Sequence, residues 1–150
     1  MSTRQQKDAV KIMVFGTFDG LHLGHVNFLK QARSLSSGKS SFLIVSIARD
    51  KNVIKIKGKR PIFSEKKRMV LVKKSNLADK VVLSGVENHL PHIIKVHPSI
   101  IALGYDQKNY VKNLKKDLKN KGVLVKIVRL KSYKEKIYKN SLLRRKIKLI

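Results

Sequence analysis

The sequence predicts an α/β protein: one domain built on a doubly wound, Rossmann-like sheet of five parallel strands with helices on both faces. Three observations carry this. Short apolar runs of strand length recur five times along the chain. Segments with helical apolar spacing stand between them, and such alternation implies parallel strands joined by right-handed crossovers. Unusual polar and glycine residues collect just after the apolar runs, where folds of this kind hold their ligands.

The elements follow in order. Val10 to Phe15, "VKIMVF", closed by Gly16, reads as a buried strand. From about Gly24, the residues Phe28, Leu29, Ala32 and Leu35 recur at helical spacing until "SSGKSS" breaks the pattern. Phe42 to Ala48, "FLIVSIA", is the second strand, and Arg49 to Arg60 reads as a polar, basic loop. Ser64 is a helix N-cap with Glu65 in the first turn. Lys80 to Gly85 is the third strand. Leu90 to Val96 is a helix ended before Pro98, and Ser99 to Gly104 is the fourth strand. Asn109 to Lys121 reads helical with Gly122 as its stop, and "VLVKIVRL" is the fifth strand. A basic helix is expected from about Ser141. Residues 1–9 read as a flexible tail and 10–150 as the domain.

Composition narrows the function. There are no cysteines, which excludes a disulfide scaffold, thiol catalysis and thiolate metal sites. No apolar run approaches the roughly 18 residues that span a bilayer, and "MSTRQQKDAV" has no apolar signal core. A soluble cytoplasmic chain without membrane partners is expected. Thirty-five Lys and Arg against nine Asp and Glu give a formal charge of +26. Such a field favours anionic partners, whether nucleic acid or phosphorylated metabolites.

The stretch "VFGTFDGLHLGH", Val14 to His25, holds the chemistry. A helix starting near Gly24 presents free N–H groups and a positive dipole end, an anion site. Gly16 and Gly24 are expected to let backbone approach the ligand closely. His22 and His25, three residues apart, project toward one point and are placed to donate hydrogen bonds to phosphate oxygens. A metal site on the two histidines with Asp19 is the weaker reading.

"GTFDGLHLGH" resembles the H-x-G-H signature of the cytidylyltransferase-like nucleotidyltransferase superfamily. "NVIKIKGKRPIFSEKKRMVLV" resembles its lysine loop and following arginine-bearing helix, and "IIALGYDQ" resembles the fourth-strand motif of its archaeal-type FAD synthase branch. The resemblance implies a reaction. A nucleoside triphosphate lies over the H-x-G-H turn, a phosphate oxygen of the acceptor attacks the α-phosphorus in line, and pyrophosphate leaves. ATP and FMN are the substrates expected of that branch. CTP with glycerol 3-phosphate or another alcohol phosphate is the alternative, and a basic nucleic-acid-binding protein is the alternative of another class.

The resemblance also implies residue roles. His22 and His25 bind the triphosphate and the developing charge. Lys55 and Lys57 close over the phosphates, and Arg68 clamps phosphate with its planar fork. Thr17, Phe18, Leu23 and Gly24 hold the nucleotide. Asp106 is expected at the base or ribose, Tyr133 at the adenine, and Ser141 at a phosphate-binding turn. Asp19 braces its own turn. Magnesium is expected on the triphosphate, with no protein ligand named. His89, His92 and His97 stand in no motif and read as structural or surface residues. A homodimer and weak, salt-sensitive binding to nucleic acid complete the expectations.

Overall fold

The computed structural model describes residues 9–85, 89–105, 107 and 113–132. The expected tail over residues 1–8, Asp106, Tyr133, Ser141 and the expected terminal helix lie outside the described residues. Within them run β1 (Val10–Gly16), α1 (Leu23–Ser34), β2 (Ser41–Ile47), α2 (Asp50–Lys57), α3 (Glu65–Lys74), β3 (Lys80–Leu83), α4 (Leu90–Val96), β4 (Ile100–Leu103), α5 (Leu114–Asn120) and β5 (Lys126–Arg129).

The five strands form one parallel sheet in the order β3-β2-β1-β4-β5. Alternation along each strand sends neighbours to opposite faces. Ile12 and Val14 of β1, with Leu43 and Val45 of β2, pack on one face against Leu29 and Ala32 of α1 and Val72 of α3. Met13 and Phe15, with Ile101 and Leu103 of β4, pack on the other face against Ile93 of α4 and Leu114 and Leu118 of α5. Both faces are covered, which explains why the central strands read as continuous apolar runs. The chain builds outward from β1 to β3, then returns past β1 to lay down β4 and β5. Parting of successive connections at β1 and β4 opens a crevice at their carboxyl ends.

The expected loop from Arg49 to Arg60 is instead mostly the helix α2. Asp50 sits in its first turn, where a carboxylate complements the dipole, and Lys55 and Lys57 sit in its last. Gly58, at φ 74°, closes it by donating to the Ile54 carbonyl at 2.8 Å. The helix buries Val53 alone, so no apolar stripe marked it in the sequence. Ser64 does cap α3: its hydroxyl accepts from the Lys67 N–H at 3.2 Å. β5 is shorter than its apolar run, and Leu124 at the start of that run is exposed.

Candidate active site

Gln107 sets the floor of the crevice. Its amide nitrogen donates to the Phe15 carbonyl at 2.8 Å, and its amide oxygen accepts from the Gly104 N–H at 2.8 Å. Arg129, at the end of β5, donates to the carbonyls of Gly104 and Tyr105 at 2.7 and 3.3 Å. The "GYDQ" turn is thus clamped to both neighbouring strands. Nothing in the sequence pattern marked Arg129 beyond its place at a strand end.

The turn after β1 stores strain for a purpose. Phe18 takes a left-handed φ of 51°, a costly conformation for a bulky side chain. Its ring is buried and lies over Gly16, where an added Cβ would come within 2.5 Å of it. The glycine was expected to admit ligand; it admits Phe18 instead. The ring contacts the His25 imidazole at a centroid distance of 5.1 Å. Phe18 therefore acts on the site by packing behind a histidine, and its side chain belongs to the core.

His22 is the N-cap of α1 and His25 is its third residue. The His25 N–H donates to His22 Nδ1 at 3.3 Å, and the His22 N–H donates to His25 Nδ1 at 3.4 Å. This is a capping box in which both side chains are imidazoles. The rings stack at 3.7 Å, with 21° between their planes. Each Nδ1 serves as an acceptor, so the neutral tautomer of each ring carries its proton on Nε2. Burial pushes the His25 pKa down to about 3, with the adjacent His22 and Lys57 acting in the same direction. The Gly20 backbone and Asp19 oppose this without overcoming it. His25 is a neutral donor throughout the physiological range. The cap takes up the N–H of His25, and the N–H groups of Leu23 and Gly24 remain at the helix start for an anion.

Asp19 is buried and reaches past its own turn. Its two carboxylate oxygens accept from the N–H groups of Ile62 and Phe63 at 2.7 and 2.8 Å. That leaves it poorly placed as a third metal ligand beside imidazoles whose Nδ1 atoms already accept backbone protons. Among the described residues no group of three or more His, Asp or Glu is arranged to hold a metal.

Of the two lysines, the structure brings Lys57 to the histidines, where its charge acts on His25. Lys55 stands two residues away on the same helix, and residues so spaced do not share a face. Arg68, expected to clamp phosphate, is turned to protein partners in this structure. It is fully buried, and Nε, Nη1 and Nη2 donate to Phe63 O, Thr17 O and Asp50 Oδ1 at 3.1, 2.8 and 2.7 Å. It fixes the carbonyl of Thr17 at the end of β1 and anchors α2 through Asp50.

That anchor is part of a longer chain of contacts which the sequence did not disclose. Asp50 and Glu65 open α2 and α3 and cap each other. The Glu65 N–H donates to Asp50 Oδ2 at 3.2 Å, and the Asp50 N–H donates to Glu65 Oε1 at 3.0 Å. Arg49 joins Glu65 at 3.2 Å and donates through Nε to the Ser84 carbonyl at 3.0 Å. The carboxyl ends of β1, β2 and β3 are thereby tied together beneath the lysine-bearing helix. Beside them, the buried hydroxyls of Ser46 and Ser84 lie 2.6 Å apart, and His92 Nε2 lies 3.0 Å from Ser46 Oγ. Burial lowers the pKa of His92, helped by Lys95 and Arg49, and burial followed by His92 lowers that of His89. The His89 ring meets Phe15 edge-on at 5.3 Å.

Comparison with known proteins agrees with this geometry. Residues 13–146 match the family model described as cytidylyltransferase-like. The FAD synthase of Korarchaeum cryptofilum is 41% identical over 139 residues, covering 93% of this chain and 92% of that protein. The FAD synthase of Thermoplasma volcanium is 36% identical over 138 residues, covering 92% and 94%. A crystal structure described as the lipopolysaccharide core biosynthesis protein of Thermoplasma volcanium superposes with a TM-score of 0.74 at 37% identity, over 83% of this chain and 98% of that one. A pantoate-beta-alanine ligase from Francisella tularensis shares the fold at 15% identity, with a TM-score of 0.57 over 83% of this chain and 59% of that one.

Proposed function

The chain belongs to the cytidylyltransferase-like family, and on that premise we propose that it is an FMN adenylyltransferase, transferring AMP from ATP to FMN to give FAD and pyrophosphate. The observation that carries the reading is the pair of imidazoles that cap one another at the start of α1. They stand at a helix N-terminus beside a crevice, where an anion is favoured.

The chemistry follows from this placement. The phosphates of ATP lie against the N–H groups of Leu23 and Gly24. A phosphate oxygen of FMN attacks the α-phosphorus; the new P–O bond forms as the bond from that phosphorus to the β-phosphate bridging oxygen breaks. The pyrophosphate departs with the electron pair. No general base is needed, because the attacking phosphate is already ionised. His22 and His25 face the oxygens on which charge builds, His25 as a neutral imidazole, an arrangement that costs no reorganisation during the reaction. Lys57 adds a mobile positive charge for the leaving group. Thr17 frames the crevice through backbone held by Arg68, and Phe18 does so by packing behind His25. Asp106, Tyr133 and Ser141 remain assigned to the nucleotide by the resemblance. Magnesium brought with the triphosphate would offset phosphate charge; the carboxylate of Asp19 is already engaged by backbone.

The remaining assignments have general support. The high positive charge supports weak, non-specific binding to nucleic acid that fades with salt. Cytoplasmic location rests on composition and a homodimer on the resemblance, and sedimentation of the purified chain decides the second.

The test is direct. Purified protein is incubated with FMN, magnesium and either ATP or CTP, flavins are resolved by chromatography, and pyrophosphate is measured. FAD formed with ATP, and reduced by roughly 100-fold or more in His25→Ala, is the expected result. Pyrophosphate release from CTP and glycerol 3-phosphate, without flavin product, moves the chain to the cytidylyltransferase reaction. Turnover with neither pair leaves the basic surface as the better guide.

A further inference from the structure

Leu23, Ile56 and Ile62 are large aliphatic residues left 58%, 69% and 50% exposed. Isolated exposed aliphatics need no explanation, but these three stand on segments that carry residues of the site. Each sits beside a residue already placed in the site. Leu23 stands in the chain between the two histidines. Ile56 precedes Lys57, whose charge reaches His25. Ile62 gives its N–H to Asp19 at 2.7 Å, which fixes this residue's backbone to the turn that carries the histidines. On α2, Ile56 and Lys57 follow the buried Val53 by three and four residues, so they flank the side of the helix that faces the molecule.

We propose that Leu23, Ile56 and Ile62 form an apolar rim that receives the isoalloxazine ring of the acceptor, and so select a flavin over a small alcohol phosphate. The inference rests on the FMN adenylyltransferase reading and deepens it. Three features favour this occupant. The rim lies on the α2 side of the histidines, whereas the "GYDQ" turn, assigned to the nucleotide base, lies across the crevice at the end of β4. The side toward α2 is the one left for the acceptor. Lys55, Lys57, Lys59 and Arg60 share the segment with Ile56 and Ile62. Aliphatic surface among cations complements a molecule that joins a flat apolar ring to a phosphate. Glycerol 3-phosphate has no apolar surface with which to cover such a rim. Ligand sites generally combine an apolar lining with a few charged groups.

The test uses Ile56→Ala and Ile62→Ala, singly and together. Both side chains are exposed, and alanine is a better helix former than isoleucine at position 56. KM is measured separately for FMN and ATP, together with inhibition by riboflavin, which has the ring but no phosphate. The double variant is expected to raise the KM for FMN by roughly tenfold and to weaken riboflavin inhibition by a similar factor, the usual scale for lost aliphatic contact. The KM for ATP should stay unchanged. An unchanged KM for FMN overturns the rim. So does a parallel rise for FMN and ATP, which would assign these residues to the posture of the lysine helix. A wild-type protein that makes no FAD fails the underlying reading instead, so the two failures are distinct.

Discussion

Acidification should destabilise this protein through His25, and the size of the effect follows from its surroundings. A native pKa of about 3 lies well below the ordinary histidine value of 6.5. The unfolded chain therefore binds a proton that the native chain refuses once the pH falls below 6.5. Stability from this group is fully present above that value and is lost progressively as pH falls toward 3. Linkage between these two values gives a loss of about 2 kcal/mol from pH 7 to pH 5. The control is His25→Gln. Glutamine at the third helical position still accepts from the N-cap N–H, as in an ordinary capping box, but does not titrate. His89 and His92 are also lowered and shift stability in the same direction in both proteins, so the difference isolates His25. Urea unfolding of both proteins at pH 7 and pH 5 reads the effect. The wild type should lose about 2 kcal/mol more than the variant, equivalent to roughly 4–8 °C in Tm for a chain of this size. Equal losses would show that native His25 protonates freely, and the account of a buried, charge-opposed imidazole would be wrong.

Three further outcomes follow from the geometry. Arg68→Met should cost about 3 kcal/mol in urea unfolding, because it orphans Asp50 and two carbonyls, whereas a loss below about 1 kcal/mol would return Arg68 to the role of an exposed substrate ligand. Gly16→Ala places a methyl group within 2.5 Å of the Phe18 ring; overpacking should cost about 1–3 kcal/mol in thermal unfolding, and kcat should fall as Phe18 shifts behind His25. Fluorescence titration with a generic DNA duplex should show affinity falling by roughly 10³-fold or more between 50 and 200 mM salt, and binding that survives such salt would mean a built nucleic-acid site.

The sheet was legible because its strands are buried on both sides and flanked by turn residues. The H-x-G-H turn was legible because two histidines and a glycine in four residues have few structural excuses. α2 was hidden, since one buried valine makes no stripe and its charges read as loop. Arg68 was misjudged for a related reason. Sequence shows that an arginine follows a basic segment, but not that Thr17, Phe63 and Asp50 converge on it from three elements. The missed signal lay in scarcity. With nine acidic residues in the whole chain, each one inside the fold invites the question of what it satisfies. Asp19, Asp50, Glu65 and Asp79 each accept a hydrogen bond from backbone N–H. They are kept where an open backbone donor needs a carboxylate, and three of the four brace the segments around the histidines.

That use of the acids explains how a strongly cationic site can keep His25 uncharged. In the proposed reaction, lysines held near the crevice draw in the triphosphate and the acceptor phosphate, but the same positive field penalises a proton on a nearby ring. Lys57 acts on His25 in this sense, and so does His22. Asp19 would be the natural counterweight, yet its oxygens are turned to the N–H groups of Ile62 and Phe63, and its pull on His25 ranks last among the influences there. The arrangement therefore separates two tasks. In the proposed reaction, attraction of substrate belongs to the lysines, and recognition of the reacting phosphate belongs to the imidazoles whose orientation is set by the helix cap. A kcat that shows no titration of His25 from pH 6 to pH 8 is the kinetic consequence, because this imidazole keeps its protonation state over that range.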